Sequence, residues 1–99
     1  LSKPANYHLA IEWKTRLQPL LSFQTFEGSI QNNATATGFK NVKVRISGYS
    51  DTDYLIEKRN YVLTEFIDAG DSQSFKWRTE LWDNDIDRFE LEIIEAESY

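Results

Sequence analysis

The sequence predicts an all-β domain, an immunoglobulin- or fibronectin III-like β-sandwich of about six to seven antiparallel strands. The first indication is a set of short segments in which apolar and polar residues alternate, because period two is the pattern of a strand with one buried face. The second is that turn-forming stretches rich in Gly, Asn, Asp and Ser separate these segments. With 99 residues, 40% of them hydrophobic, we expect a single domain, 1–99, with a core of its own.

The first strand is predicted where apolar side chains alternate with polar ones, at Tyr7, Leu9, Ile11 and Trp13. A second run begins with Leu21 and Phe23 but continues from Phe26 to Ile30 in the opposite phase. A phase slip of one residue is typical of a β-bulge or a bend, so we expect this strand to kink near residues 24–26. The polar segment 31–39 is predicted to be a loop.

The clearest strand pattern has four small or β-branched residues facing one way: Val42, Val44, Ile46 and Gly48. A turn at 50–53 follows, and residues 54–67 form a long β-rich stretch whose register the pattern leaves open. After a second turn at 68–71, Phe75 and Trp77 alternate with basic residues, which predicts a further strand.

The final segment, residues 79–96, has two interpretations. Phe89, Leu91 and Ile93 alternate with glutamates, as in a strand. The same segment also places four apolar side chains on one face of a helix: Trp82, Ile86, Phe89 and Ile93. The DNDID run within it is poor helix material, because Asp and Asn side chains compete for backbone hydrogen bonds. We therefore favour the strand and keep the helix as the alternative.

Three segments occur in an order known from one family: Gly28-Ser29-Ile30-Gln31-Asn32, Asn41-Val42-Lys43-Val44-Arg45-Ile46, and Ile67-Asp68-Ala69-Gly70-Asp71-Ser72 leading to Phe75. In this pattern residues 26–77 resemble the FxLYD-type domains, small β-sandwich modules usually found in bacterial and archaeal envelope or secreted proteins. Of the residues that name the family, the chain keeps the tyrosine, as Tyr49. The resemblance implies a sandwich and an extracellular, periplasmic or cell-envelope location. Because the family has no agreed activity, it implies no functional residue.

Composition excludes several classes of function. A net charge of −5 argues against nucleic-acid binding, which requires a basic surface. The sequence contains no run of about 18 apolar residues, so it predicts no membrane span. The absence of cysteine removes disulfides, thiolate metal sites and thiol catalysis. Methionine is absent too, even at position 1, so we expect a domain excised from a larger protein.

Little in the sequence predicts catalysis. His8 is the only histidine, and we interpret it as a solvent-facing strand residue rather than a general base. The chain contains no nucleophile elbow, phosphate-binding loop or dinucleotide-binding motif. The domain is therefore predicted not to be an enzyme and to carry no cofactor, with calcium as the one exception considered.

Three aspartates alternate in one loop: Asp83, Asp85 and Asp87. Alternating oxygen ligands from one loop are typical of calcium sites. An EF-hand is excluded, because Arg88 stands where its glycine is required and Ile94 where its bidentate glutamate is required. Two hypotheses stay open, a solvated acidic loop and a calcium site that shares Asp51 or Asp53 from another loop.

Aromatic residues make up 14% of the chain, which suggests the hypothesis that exposed rings bind carbohydrate by stacking against sugar rings. Trp13 and Trp77 alternate in phase with apolar neighbours, so we assign them to the core. Trp82, beside the acidic loop, and Tyr49, on the polar face of the third strand, are the candidate exposed ligand-binding residues.

The charge is divided unevenly along the chain. Residues 1–78 carry 8 acidic and 10 basic side chains, whereas residues 79–99 carry 8 acidic and one basic. We expect the last strand to lie beside the third, with cross-strand pairs that join Lys43 and Arg45 to Glu90 and Glu92. Glu95 and Glu97 would then form a solvated tail. The alternative is that the acidic segment is a docking surface for a basic partner.

Together these features predict a non-catalytic structural or protein-interaction module of a bacterial envelope or secreted protein. Its partners would be another protein or neighbouring domains of its own chain. The alternative is a ligand-binding accessory domain, for calcium or carbohydrate, that uses residues 82–87.

Overall fold

A computed structural model describes residues 8–99 as six strands and a single turn of 3₁₀ helix, Pro19–Leu21. The strands are β1 (Leu9–Gln18), β2 (Phe23–Asn32), β3 (Phe39–Tyr49), β4 (Leu55–Leu63), β5 (Ser72–Glu80) and β6 (Arg88–Ser98). No α-helix occurs among residues 8–99, so the strand interpretation of the final segment is confirmed. Tyr7, where the predicted first strand begins, lies outside the described residues.

The six strands form two antiparallel sheets, with strand orders β1-β2-β5 and β4-β3-β6. The predicted all-β sandwich is confirmed. Its core is lined by apolar side chains with almost no exposed surface: Phe26, Ile30, Val42, Val44, Ile46 and Ile67. The β-branched residues among them suit a pleated, buried surface, which explains why the alternation of β3 identified its inner face correctly.

The bulge predicted in β2 is wrong. β2 pairs with β1 on one side and β5 on the other without any register shift. Gln24 and Asn32 share the inner face of β2 with Phe26 and Ile30, and both amides are buried and hydrogen-bonded. Because polar side chains occupy two inward positions, the hydrophobic pattern slips in phase although the strand is regular.

The connections between strands fall at the two ends of the sandwich. Connections 19–22, 50–54 and 81–87 form one end, which we name the Leu20 end. Connections 33–38 and 64–71 form the opposite end, the Asn32 end. Asn32 joins these two connections, because its side-chain nitrogen donates to the carbonyl oxygens of Thr37 and Ile67 at 2.8 and 3.0 Å.

β6 lies beside β3, as the charge pattern predicted. Arg45 faces Glu92, with 3.7 Å between its Nη1 and the Glu92 Oε1, so this cross-strand pair is confirmed. Lys43 instead faces Glu95, at 2.5 Å, because the register shifts between Lys43 and Val44.

The remaining carboxylates of β6 also differ from prediction. Glu90 is not paired with Lys43 or Arg45 but accepts a hydrogen bond from Arg88, two residues earlier on the same strand. Glu95 and Glu97 do not form a tail, since both belong to β6. The outer face of β6 is therefore acidic along most of its length.

Candidate functional site

The residues that the sequence singled out lie at the Leu20 end. There the β3–β4 turn and the β5–β6 loop border an open cleft of about 680 Å³, whose lining includes Asp51, Thr52, Tyr54, Asp85, Ile86 and Asp87. Asp51, from the β3–β4 turn, thus lies beside the acidic loop. The turn is held by Ser50, whose Oγ accepts hydrogen bonds from the backbone nitrogens of Thr52 and Tyr54.

The acidic loop is shaped by its own first aspartate. The Asp83 Oδ1 accepts a hydrogen bond from the Asp85 nitrogen at 2.8 Å, an arrangement typical of a turn closed by an Asp side chain. The Asp87 nitrogen donates to the Tyr49 carbonyl oxygen at 2.7 Å, which anchors the end of the loop to β3. Asp83 thus has a structural role, and the carboxylates of Asp85 and Asp87 remain to face the cleft.

Arg88 is the basic residue of this site, and sequence reasoning gave it no role. Its guanidinium donates to Asp53 Oδ1 through Nε and Nη2, at 3.1 and 2.9 Å, and to Glu90 Oε1 through Nη1 at 2.7 Å. The hydrogen bonds to Asp53 and then to Glu90 raise the pKa of Arg88 above its ordinary value. Arg88 therefore neutralises part of the acidic end and leaves Asp53 less available to a cation.

The aspartates do not converge on one point. Among residues 8–99, no group of three Asp, Glu or His side chains is placed to hold a metal ion. Each of Asp83, Asp85 and Asp87 is solvent-exposed. The calcium hypothesis for these three residues stays a prediction.

The predicted exposure of Trp82 is wrong, since only 7% of this residue is accessible to solvent. Its indole nitrogen donates to the Thr79 hydroxyl at 2.9 Å, and its ring meets Phe26 and Phe89 edge to face. The Arg59 guanidinium lies 4.0 Å from the ring centre. The indole therefore belongs to the core and presents no open face to a sugar ring.

Arg59 is a second residue whose role the sequence did not reveal. It extends from β4 across the gap between the sheets and donates to the carbonyl oxygens of Glu80 and Leu81 at 3.1 and 3.3 Å. Burial lowers the pKa of Arg59, but hydrogen bonds with Glu57 and Tyr61 outweigh that effect and the pKa is raised. No pattern in the sequence indicates that a cation on β4 would cover a tryptophan more than twenty positions away.

Tyr49 is half-buried, and its ring is covered by Arg88 at 4.3 Å from the ring centre. The tyrosine that lies open at this end is Tyr54, which follows the β3–β4 turn. The signal that could have identified it is its place directly after the polar turn 50–53, where a strand has not yet begun.

Exposed apolar side chains are concentrated at the same end: Leu17, Leu20, Leu21, Tyr54, Leu55 and Leu81. Leu20 has 99% of its surface accessible. Leu21, predicted to start the second strand, belongs instead to the 3₁₀ turn before β2. The Leu20 end therefore combines apolar side chains with carboxylates.

Fold and site together define a small β-sandwich domain whose Leu20 end carries a group of exposed apolar side chains together with carboxylates. Comparisons with protein-family models, curated proteins and solved structures gave no match. Within the described part of the chain, no helix is long and apolar enough to cross a membrane.

Proposed function

We propose that the domain is a non-catalytic structural or protein-interaction module of a bacterial envelope or secreted protein, and that it contacts its partner through the Leu20 end. The partner is another protein or a neighbouring domain of the same chain. An extracellular, periplasmic or cell-envelope location goes with this role.

The exposure of Leu20 and its neighbours is the observation that carries the proposal. Leu17, Leu20 and Leu21 are all exposed within five positions of the chain, and Leu20 has no contact that hides it. Single exposed leucines are common on protein surfaces, but several grouped together are typical of contact sites. The carboxylates at the same end would form a polar rim around an apolar contact, as most interfaces have.

The resemblance to FxLYD-type domains supports the envelope or secreted context. The positions that carry it have structural roles that such a module needs. Gly28 lies where β1 and β2 approach closely, Asn32 joins two connections, and Gly70 takes a positive φ of 82° in the β4–β5 turn. These roles are consistent with a scaffold that presents a surface.

Site-specific crosslinking tests the proposal. A photo-reactive residue at Leu20, introduced in the organism that makes the protein, should give a discrete adduct identifiable by mass spectrometry. The same residue at Val62, also exposed but away from this end, is the matched control. The change Leu17→Asp should reduce the adduct at Leu20 without lowering the melting temperature. No adduct at Leu20, or the same adducts at both positions, would contradict the proposal.

A ligand-binding accessory domain is the second candidate, and the cleft at the Leu20 end favours it. The cleft brings Asp51 together with Asp85 and Asp87, so that oxygen atoms of two connections line one space. Hard cations prefer such ligands. Carbohydrate binding has less support than calcium binding, because the indole of Trp82 is buried.

Calcium titration tests this second candidate. Binding to the native state would raise the melting temperature in proportion to the logarithm of calcium concentration. The paired change Asp85→Asn and Asp87→Asn should abolish the shift, whereas Asp68→Asn, at the Asn32 end, should preserve it. A melting temperature that stays flat up to millimolar calcium would rule the site out.

A further inference from the structure

The outer edge of β6 is unoccupied in the described part of the chain. In the order β4-β3-β6, β6 pairs with β3 on one side and with no strand on the other. The two sheets match the immunoglobulin arrangement in which strands A, B and E face strands C and F. In that arrangement a further strand lies beside F, and β6 holds the F position. The fold therefore has an open place for a seventh strand.

β6 is well suited to accept one. It has eleven residues, more than most strands, and contains no proline. Edge strands expose a row of backbone N–H and C=O groups that readily pair with another chain. The two register shifts of the β3–β6 pairing, between Lys40 and Lys43 and between Lys43 and Val44, leave the segment from Arg88 to Ile93 regular.

The charge of β6 determines which chain can pair with it. Its outer face carries four exposed carboxylates: Glu90, Glu92, Glu95 and Glu97. Lys43 and Arg45 meet two of them from the β3 side only. A second β6 would place carboxylates opposite carboxylates, which is destabilising. A strand with Lys or Arg at alternate positions would instead form cross-strand ion pairs.

The inner side of the same edge is apolar. Leu91 and Ile93 alternate with the glutamates and are buried. Trp13, on β1 of the opposite sheet, borders a shallow recess with Glu90, Leu91 and Glu92. The inward side chains of an added strand would meet this tryptophan, so they should be apolar.

We propose that the free edge of β6 binds an extended segment of a partner protein in which basic residues alternate with apolar ones. The segment adds a seventh strand, with backbone hydrogen bonds giving affinity and alternate side chains giving specificity. This surface is separate from the leucines of the Leu20 end, so the proposal goes beyond the function proposed above and does not depend on it.

The probe is a synthetic peptide in which lysine and valine alternate, added to the 99-residue chain. Amide hydrogen exchange should slow along β6, whereas the amides of β4, at the far edge of the same sheet, should not change. A peptide of the same composition with all lysines in one block should bind more weakly, because it cannot present alternate faces. A peptide with glutamate in place of lysine should not bind.

Variants locate the binding site. The paired change Glu90→Gln and Glu92→Gln should weaken binding about 2- to 30-fold, as expected for two cross-strand ion pairs. Glu65→Gln with Glu80→Gln removes the same charge elsewhere and is the matched control. The proposal is overturned by equal effects of the two pairs, by protection on another strand, or by equal binding of the blocked peptide. It also fails if β6 is already protected in a dimer of this chain.

Discussion

Asn32 is fully buried, and its side chain makes three hydrogen bonds. Two go from its nitrogen to the carbonyls of Thr37 and Ile67, and its oxygen accepts one from the Ala34 nitrogen at 2.9 Å. A single amide thus satisfies backbone groups of two connections that cross between the sheets. Asn32 therefore stabilises the fold and is not merely a polar residue tolerated in the core.

Replacing Asn32 should therefore be costly. We expect Asn32→Ala to lower the free energy of unfolding by about 2–4 kcal/mol, because it removes three hydrogen bonds to backbone groups. The Ile67 oxygen keeps the Phe39 nitrogen as a donor, whereas the Ala34 nitrogen and the Thr37 oxygen lose their Asn32 partner. Asn33→Ala, at the exposed neighbouring position, should change it by less than about 0.5 kcal/mol. Urea denaturation of both variants measures the difference. Equal values for the two would show that the Asn32 side chain contributes little.

Tyr99, at the Asn32 end, makes the stability of the domain depend on pH. Its hydroxyl donates to the Asp68 carboxylate, and this hydrogen bond, followed by desolvation and the nearby negative charge, raises the pKa of Tyr99 from 10.0 to about 12. The folded state thus favours the neutral phenol. The stabilising contribution is complete below pH 10.0 and is lost as the pH rises to about 12.

Ultraviolet titration of tyrosinate tests this expectation. One of the five tyrosines should ionise later than an ordinary tyrosine, and the Tyr99→Phe variant should lack that late step. The Asp68→Asn variant should move the step towards pH 10.0. A late step that survives in Tyr99→Phe would assign it to another residue.

At the scale of the strand, the backbone of β1 lies close against Gly28 of β2. A Cβ atom there would overlap the backbone carbonyl oxygen of Glu12 and crowd the Cα of Trp13. Backbone atoms of a paired strand cannot move without breaking the ladder. At Gly48 the atoms met belong to the Ile86 side chain, the nearest being its terminal Cδ1 at 2.5 Å, and a side chain can rotate.

The two glycines should thus respond differently to the same change. Gly28→Ala should destabilise the domain by about 1–3 kcal/mol, the range of overpacked sites. Gly48→Ala should cost less than about 1 kcal/mol, because Ile86 adjusts and the strand gains propensity. Thermal unfolding of both variants decides the point. A larger loss of stability in Gly48→Ala than in Gly28→Ala would mean that the β1 backbone adjusts more easily than the Ile86 side chain.

The pairing of β3 with β6 depends in part on charge. The reversal Lys43→Glu should destabilise the domain, and adding Glu95→Lys should restore most of the loss, with a coupling of about 0.2–1 kcal/mol that shrinks at high salt. Lys58→Glu, on β4, makes the same charge change away from β6 and should not be rescued by Glu95→Lys. A double-mutant cycle in low and high salt measures the coupling. No coupling at low salt would indicate that the ion pair is incidental.

How well each strand could be predicted depends on which side chains fill its inner face. β3 was predictable because its inner positions are apolar and its outer positions mostly polar. β2 was not, because Gln24 and Asn32 take inward positions and periodicity alone interprets an amide as outward-facing. The Lys43–Glu95 pair was hidden by a register shift, which a single strand's sequence does not encode.

The candidate site was predictable in its position but not in its surface. Turn signals placed the aspartates of 51–53 and 83–87 in loops, and the topology brings these loops together. Trp82 is covered by Phe26, Phe89 and Arg59, and Arg59 reaches it from β4, where its guanidinium bonds the end of β5. Exposure of this kind is a property of tertiary contacts, so local pattern could not reveal it.

For the whole molecule, strand order determines how quickly the chain can fold. β2 pairs with β5, and β3 with β6, so both sheets require segments far apart in sequence to meet. Such topologies fold in milliseconds to seconds, because loop closure precedes most of the stabilising contacts. Stopped-flow tryptophan fluorescence, with Trp82 as the buried reporter, should show a phase in this range. Relaxation within microseconds would contradict it.

His8 and Tyr99 both contact the connection between β2 and β3. The Asn33 nitrogen donates to the His8 carbonyl oxygen at 2.8 Å, and the Tyr99 nitrogen to the Gly38 carbonyl oxygen at 3.0 Å. Residue 8 and residue 99 thus both lie at the Asn32 end of the sandwich. A domain whose two chain ends lie at the same end can be inserted into a surface loop of a host domain without separating the two ends of that loop. Held that way, the domain would project its leucines outward, at the point furthest from the host.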